Sequence, residues 1–303
     1  MVATANPTND LAEAYAYCER LAKTHYENFT VVSWFFPKTL RLAMYSVYAF
    51  CRYTDDLGDE ADGDRLALLD AWEEDLRRCY DGVPRHQVLR ALQQTVQGHK
   101  VPIEPFLKLI EANRMDQQVK RHPTYADLLH YCDHSANPVG RMVLHVFGYD
   151  DPERQRLSDA TCTALQLANF WQDVLRDYAL GRIYIPLEDM ERFGYGEEEL
   201  VRGEFNERFA ALMRFEVDRT RSLFDEGARL VHTVEGELRL DLRLFTMGGV
   251  SVLDAIEAQG YDVLGKRPVV SKAKKARLAA SGLVQLATGK LPWAREHTRG
   301  ARR

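Results

Sequence analysis

The chain has 303 residues, 46% of them apolar, which is enough for a sizeable core in one large domain or two ordinary ones. A formal charge of −5 argues against a nucleic-acid partner, and no stretch approaches the ~18 uninterrupted apolar residues of a membrane-spanning helix. Basic residues gather at the end, with nine Lys/Arg against one acid between Ser271 and Arg303, so the remainder is markedly acidic.

The opening MVATANPTNDLAEAY has no basic region before an apolar run, so no signal peptide is expected. Apolar residues then recur at three- and four-residue spacing, and the pattern predicts helix nearly throughout. Helices are predicted over 9–29, 39–58, 64–81, 86–98, 103–119, 125–147, 154–180, 204–231, 237–259 and 272–287. Pro37, Pro102, Pro123 and Pro152 stand just before four of them, as helix-start punctuation does. In GRIYIP (181–186), Gly181 reads as a C-cap and Pro186 as a stop, and RIYIP is the longest alternating run. Cys18, Cys51, Cys79, Cys132 and Cys162 form no CxxC pair and read as reduced core thiols of a cytoplasmic protein. With no repeat or low-complexity linker, the expectation is a single all-α domain over 1–303, with its core at about 9–287 and a basic tail at 288–303.

Two of these helices carry oxygen ligands at four-residue steps. Asp55 and Asp59 lie in RYTDDLGDE (52–60), and Asn169, Asp173 and Asp177 lie in NFWQDVLRDY (169–178). Each set projects from nearly one helix face. If both line one cavity, four carboxylates and an amide meet, repel one another and need cations. Oxygen-only ligands without His or Cys suit Mg²⁺, which completes its shell with water and substrate phosphate. Arg52 precedes Asp55 by one turn, Arg176 and Arg182 flank the second stripe, and Lys266 and Arg267 follow in GYDVLGKRP; all could grip phosphate oxygens, and Gln166 extends the second polar face. The bland alternative, acids on a solvated face, suits the second stripe poorly because its surroundings are strongly apolar.

At these residues the chain resembles the squalene/phytoene synthases, helical head-to-head prenyl synthases of the isoprenoid synthase fold. YAFCRYTDDLGDE (48–60) and LQLANFWQDVLRDYALGRIYIP (165–186) match the two aspartate-rich motifs. EANRMDQQ (111–118), with its acid Asp116, and YCDHSANPVGRMV (131–143) match the segments between them, and the likeness runs from about 15 to 280. HYENF (25–29), SANPVG (135–140) and NFWQDV look most like the hopanoid-pathway branch that converts presqualene diphosphate and water to hydroxysqualene and diphosphate, the alternative being head-to-head condensation of two prenyl diphosphates to presqualene diphosphate, squalene or phytoene, as similar relatives carry out. Position by position, the resemblance implies that Asp55, Asp59, Asn169, Asp173 and Asp177 hold Mg²⁺ and diphosphate. It makes Tyr48 and Tyr131 catalytic residues of the cavity, places Arg52, Arg182 and Arg267 on phosphate, and has Phe29, Gln166, Val139 and Gly140 contact substrate.

Gly249 takes the place of a tyrosine found in many relatives and is expected to leave room beside Ser135, Asn137 and Gln166 for a reacting water. The plainer role for Ser135 and Asn137 is to satisfy helix carbonyls freed by Pro138. The resemblance further implies an isoprenoid diphosphate as ligand and association with other squalene/hopanoid pathway enzymes. A greasy substrate and a basic tail suggest peripheral contact with the inner face of the membrane. His130 and His134 lie four apart but lack a third ligand at zinc spacing, paired Glu-x-x-His motifs are missing, and no G-x-G-x-x-G follows a strand. The rival of another class is a non-catalytic helical binding or scaffold protein.

Overall fold

The computed structural model describes residues 7–24 and 37–271. Phe29, the HYENF motif beyond Thr24, the helix expected at 272–287 and the basic tail lie outside the described residues. The elements in order are α1 (Pro7–Thr24), α2 (Arg41–Asp59), α3 (Arg65–Asp81), α4 (Gln87–His99), α5 (Glu104–Gln118), α6 (Tyr125–Ser135) and α7 (Asn137–Val146). They continue with α8 (Pro152–Gln172), α9 (Val174–Ala179), α10 (Leu187–Arg192), α11 (Glu197–Val201), α12 (Glu207–Gly227), a 3₁₀ turn (Ala228–His232) and α13 (Gly236–Ala258). The fold is all-α. Extended pairing among the described residues is confined to one parallel bridge, Arg121 with Ile183.

Local chemistry sets the starts. Asp64, Asp151 and Asn206 each accept a backbone N–H from the first turn of the helix they precede, and Thr124 forms a reciprocal capping box with Asp127. Two predicted helices are divided. The 125–147 segment breaks at Ala136, where Pro138 removes a backbone donor and restarts the helix as α7. The 154–180 segment breaks at Asp173, whose N–H is shared between the carbonyls of Asn169 and Phe170. The 204–231 segment begins at Glu207 and tightens into the 3₁₀ turn after Gly227. The short α10 and α11 were not anticipated.

Two apolar cores flank the cavity region. One gathers α1 to α5 with Met142 and Val146 of α7. The other surrounds α8 with side chains of α6, α12, α13 and the segment after it. Buried indoles pin the two helices that carry the acids. Trp72 donates to Thr54 on α2 at 2.9 Å, and Trp171 on α8 donates to Thr220 on α12 at 2.8 Å. A strap from Gly181 to Leu187 crosses beside α8. Its Ile183 N–H donates to Lys120 O and its Leu187 N–H to His122 O, both at 3.0 Å. Tyr184 stacks on Phe170 with ring centres 3.7 Å apart.

Close helix approach and buried charge both leave measurable marks. A β-carbon at Gly227 would lie 2.2 Å from Thr161 Oγ1 and 2.8 Å from Thr161 N, so α12 can meet α8 only without a side chain there. Gly227→Ala is expected to cost about 1–3 kcal/mol by overpacking, read as a lower Tm in calorimetry. Asp241 on α13 is 1% exposed, and neither carboxyl oxygen has a hydrogen-bond partner. Burial, with Glu237 adding repulsion, pushes it up to about 8 from 3.8. The folded state therefore keeps a proton that the unfolded chain releases, so this group lowers stability as pH climbs from 3.8 to about 8. Asp241→Asn removes that dependence, and its Tm relative to the parent protein should rise between pH 5 and 8.5 in thermal melts.

Candidate active site

The C-terminal half of α2 presents Asp55 and Asp59, and the junction of α8 and α9 presents Asn169, Asp173 and Asp177. The break at Asp173 does not scatter the second set, because Asp173 N bonds Asn169 O at 3.0 Å and Asp177 N bonds Asp173 O at 2.9 Å. These two bonds keep four-residue steps on either side of Asp173, although the helical ladder itself is interrupted between them.

Arg182, on the strap, links the first set to Asp116, and its charge also acts on Asp177 of the second. Its guanidinium donates to Asp59 Oδ1 of α2 at 2.6 Å and lies 4.0 Å from Asp116 Oδ1 of α5. Asp116 accepts from the Tyr131 hydroxyl of α6 at 2.9 Å. Its charge is felt by Asp55 on one side and Asp177 on the other, so it stands between the stripes. Asp116 and Tyr184 were not assigned a role from sequence. Asp116 was visible as the acid of EANRMDQQ, while the only sign of Tyr184 was its place in the alternating RIYIP run.

The electrostatics are those of crowded acids. Asp55 is solvent-exposed, with Asn113 and the charges of Asp59, Asp116 and Arg52 nearby. Desolvation pushes it up to about 7, with Asp59 and Asp116 adding repulsion while Asn113 and Arg52 oppose the shift. Asp177 is likewise pushed up to about 7, by desolvation and then by Asp173. Burial raises Asp116 as well, against the pull of Arg182. The Tyr131 phenol, 5% exposed, is held well above its usual range by burial and by Tyr184 and Asp116. Tyr48, half-buried on α2, is raised by burial. Uncompensated, these acids resist ionisation, and a cation among them would reverse that. The donor set is all oxygen, the type that suits a hard divalent ion, although among the described residues no three acids stand close enough together to hold one as they are placed.

The arginines are already engaged. Arg267 donates to Asp173 Oδ1 and Oδ2 at 2.6 and 2.7 Å and to Gln172 Oε1 at 2.9 Å. Arg52 pairs with Asp56 at 2.5 Å and Glu60 at 2.7 Å, along the outer acids of its own helix. Arg176 is largely exposed and 3.5 Å from Asp173. Gln166 is partly buried one turn before Asn169 on α8, and Asn169 is exposed.

The SANPVG segment sits at the junction of α6 and α7, against α8. The Asn137 carbonyl oxygen accepts from Thr163 Oγ1 at 2.9 Å, and the buried Ser135 hydroxyl has no hydrogen-bond partner. Neither arrangement is the capping of carbonyls freed by Pro138. Val139 packs on the first core. Gly140 permits close contact with α8, since a β-carbon there would fall 2.3 Å from Ser158 Oγ and 2.6 Å from Cys162 Sγ. Gly249 leaves no open space. A β-carbon there would meet the Phe224 ring at 2.3 Å and Leu165 Cδ2 at 2.8 Å, so those two side chains fill the room expected from the missing tyrosine. No helix among the described residues is long and apolar enough to cross a membrane.

Comparison with known proteins agrees with this geometry. The crystal structure of squalene synthase HpnC from Alicyclobacillus acidocaldarius superposes with a TM-score of 0.81 at 52% identity, covering 83% of this chain and 96% of that one. A dehydrosqualene synthase in complex with ligand superposes with a TM-score of 0.83 at 28% identity, covering 93% and 99%. The 15-cis-phytoene synthase of Synechococcus elongatus is 34% identical over 281 residues, 88% of this chain and 91% of its own. The profile of the family described as squalene/phytoene synthase matches residues 22–274. An all-α bundle of the isoprenoid synthase fold, carrying both aspartate-rich faces and matched over most of its length, belongs to the squalene/phytoene synthase family, enzymes of isoprenoid biosynthesis that act on prenyl diphosphates.

Proposed function

We propose that this enzyme uses Mg²⁺ to ionise presqualene diphosphate and captures the rearranged cation with water, giving hydroxysqualene and diphosphate. The observation that carries the reading is the placement of Asp55 and Asp177. They come from helices more than a hundred residues apart, yet Arg182, just after Asp177 in the chain, reaches Asp59 at 2.6 Å and Asp116 at 4.0 Å beside the Asp55 helix. Asp55, Asp59, Asn169, Asp173 and Asp177 would hold Mg²⁺, whose charge neutralises a departing diphosphate when bound.

The chain's own groups account for the rest. Arg182 and Arg267, paired with Asp59 and Asp173, have the guanidinium geometry that would bind phosphate oxygens of the substrate. The carbon–oxygen bond then breaks with both electrons leaving on the diphosphate. The cation left behind needs walls that do not quench it early, and Phe170, Tyr184 and Tyr131 supply aromatic faces beside the acids. The water oxygen finally bonds to the cation and gives up a proton.

Choice of branch rests on the 52% identity to the HpnC structure, against 28% to the dehydrosqualene synthase. It rests also on Ser135, a buried hydroxyl still without a partner and able to hold a water. A second reading, head-to-head condensation of two prenyl diphosphates, draws on the 34% identity to the phytoene synthase. Peripheral membrane contact and association with other pathway enzymes remain part of the proposal through the greasy substrate.

Two measurements test the reading. Purified protein with Mg²⁺ and no reductant should convert presqualene diphosphate to hydroxysqualene and leave farnesyl diphosphate unreacted. Presqualene diphosphate formed from farnesyl diphosphate would instead select the condensation reading, and no turnover of either would favour a non-catalytic helical protein. Ser135→Ala should lower the share of hydroxysqualene among products about fivefold, the equivalent of one ~1 kcal/mol hydrogen bond, with Tm near that of the parent. An unchanged product ratio by gas chromatography would remove Ser135 from water capture.

A further inference from the structure

The face of α5 opposite its solvent side touches the first acid stripe at two places, and neither contact belongs to the ligand set above. Asn113 is 6% exposed and packs against α2. Its side-chain N–H donates to Asp55 Oδ1 at 3.3 Å and to Leu109 O of its own helix at 3.1 Å. Among the described residues it is the one hydrogen-bond donor to Asp55. One turn later, Gln117 Nε2 donates to Gly58 O and to Asn113 O, both at 3.0 Å. Gly58 lies among the last four residues of α2, whose carbonyls have no intrahelical partner, so Gln117 satisfies a carbonyl that the helix end leaves open.

Gly58 is the steric counterpart of Asn113. A β-carbon at Gly58 would fall 2.1 Å from Asn113 Oδ1, 3.0 Å from its Cγ and 3.2 Å from its Cβ. The missing side chain is what lets the amide lie flat on α2 and reach Asp55. An amide suits this position chemically. It orders one carboxylate oxygen without a charge that would compete with a cation, whereas each arginine nearby takes an acid out of use.

We propose that Asn113, seated on Gly58, is a positioning residue that fixes the Asp55 carboxylate for the Mg²⁺–diphosphate complex. The proposal rests on the diphosphate reading of the site. Asn113 touches neither substrate nor metal and acts through Asp55, while Gln117 holds the backbone between Asp55 and Asp59.

The experiment follows thermal stabilisation by inorganic pyrophosphate during a Mg²⁺ titration, alongside Mg²⁺-dependent turnover of prenyl diphosphate. Asn113→Leu keeps the volume and removes the donor, and Asn113→Asp keeps the shape and places a second carboxylate against Asp55. Both should raise the Mg²⁺ needed for half-maximal stabilisation by roughly tenfold or more, the cost of losing an outer partner of a metal ligand. Gly58→Ala should do the same by displacing the amide. The double variant Gly58→Ala with Asn113→Ala should be no worse than Asn113→Ala alone, because the clash is gone. Parent-like Mg²⁺ titrations in both Asn113 variants, or additive losses in the double variant, would overturn the positioning role and leave the diphosphate reading standing. A parent protein that Mg²⁺ and pyrophosphate do not stabilise would overturn both.

Discussion

Carboxylates carried by separate helices feel one another's charge, and the structure around them follows from how that repulsion is contained. Arg182 and Arg267 offset three of these acids, Asp59, Asp116 and Asp173, directly. At a partly enclosed site such pairs matter more than surface ion pairs, since removal of one partner leaves a charge that water screens poorly. The same guanidiniums have the fork geometry that suits phosphate. In the proposed reaction they would perform two tasks in sequence, keeping the acids compatible with folding and then meeting the diphosphate.

The scaffold supplies the rigidity this needs. Trp72 and Trp171 tie the acid-bearing helices to neighbours through buried hydrogen bonds. The α5 helix packs on α2 and on α6, so it carries Asn113, Asp116 and Gln117 between the halves. The strap holding Arg182 and Tyr184 hangs on two backbone hydrogen bonds to the linker after α5 and on the Tyr184–Phe170 stack. The Arg121 guanidinium adds a 2.6 Å bond to Gly181 O. Residues far apart in the chain thus reach the cavity from elements that touch one another.

The chemistry of this site was more legible in the sequence than its wiring. Steps of four at Asp55/Asp59 and Asn169/Asp173/Asp177 show a shared helix face because helical pitch alone dictates it. Helix type and most boundaries followed from apolar spacing, but spacing runs unbroken through Ala136 and Asp173, where local backbone geometry divides the helices. The α10 and α11 helices are too short for periodicity to register. Arginine partners were beyond reach, because Arg267–Asp173 and Arg182–Asp59 depend on how distant segments dock. Gly249 misled for a similar reason. A missing side chain reads as space in a sequence, yet Phe224 and Leu165 arrive from other helices to occupy it.

The unbroken count across the α8–α9 junction carries an evolutionary constraint. Each residue advances a helix by ~100°, so one inserted or deleted between Asn169 and Asp177 would swing the downstream acid away from its companions. The same slip would travel into Ile183 and uncouple it from Lys120. In this interval length is constrained as well as the side chains of Phe170, Trp171 and Asp173, whereas a surface turn such as the one around Gly203 can absorb extra residues without shifting the acids.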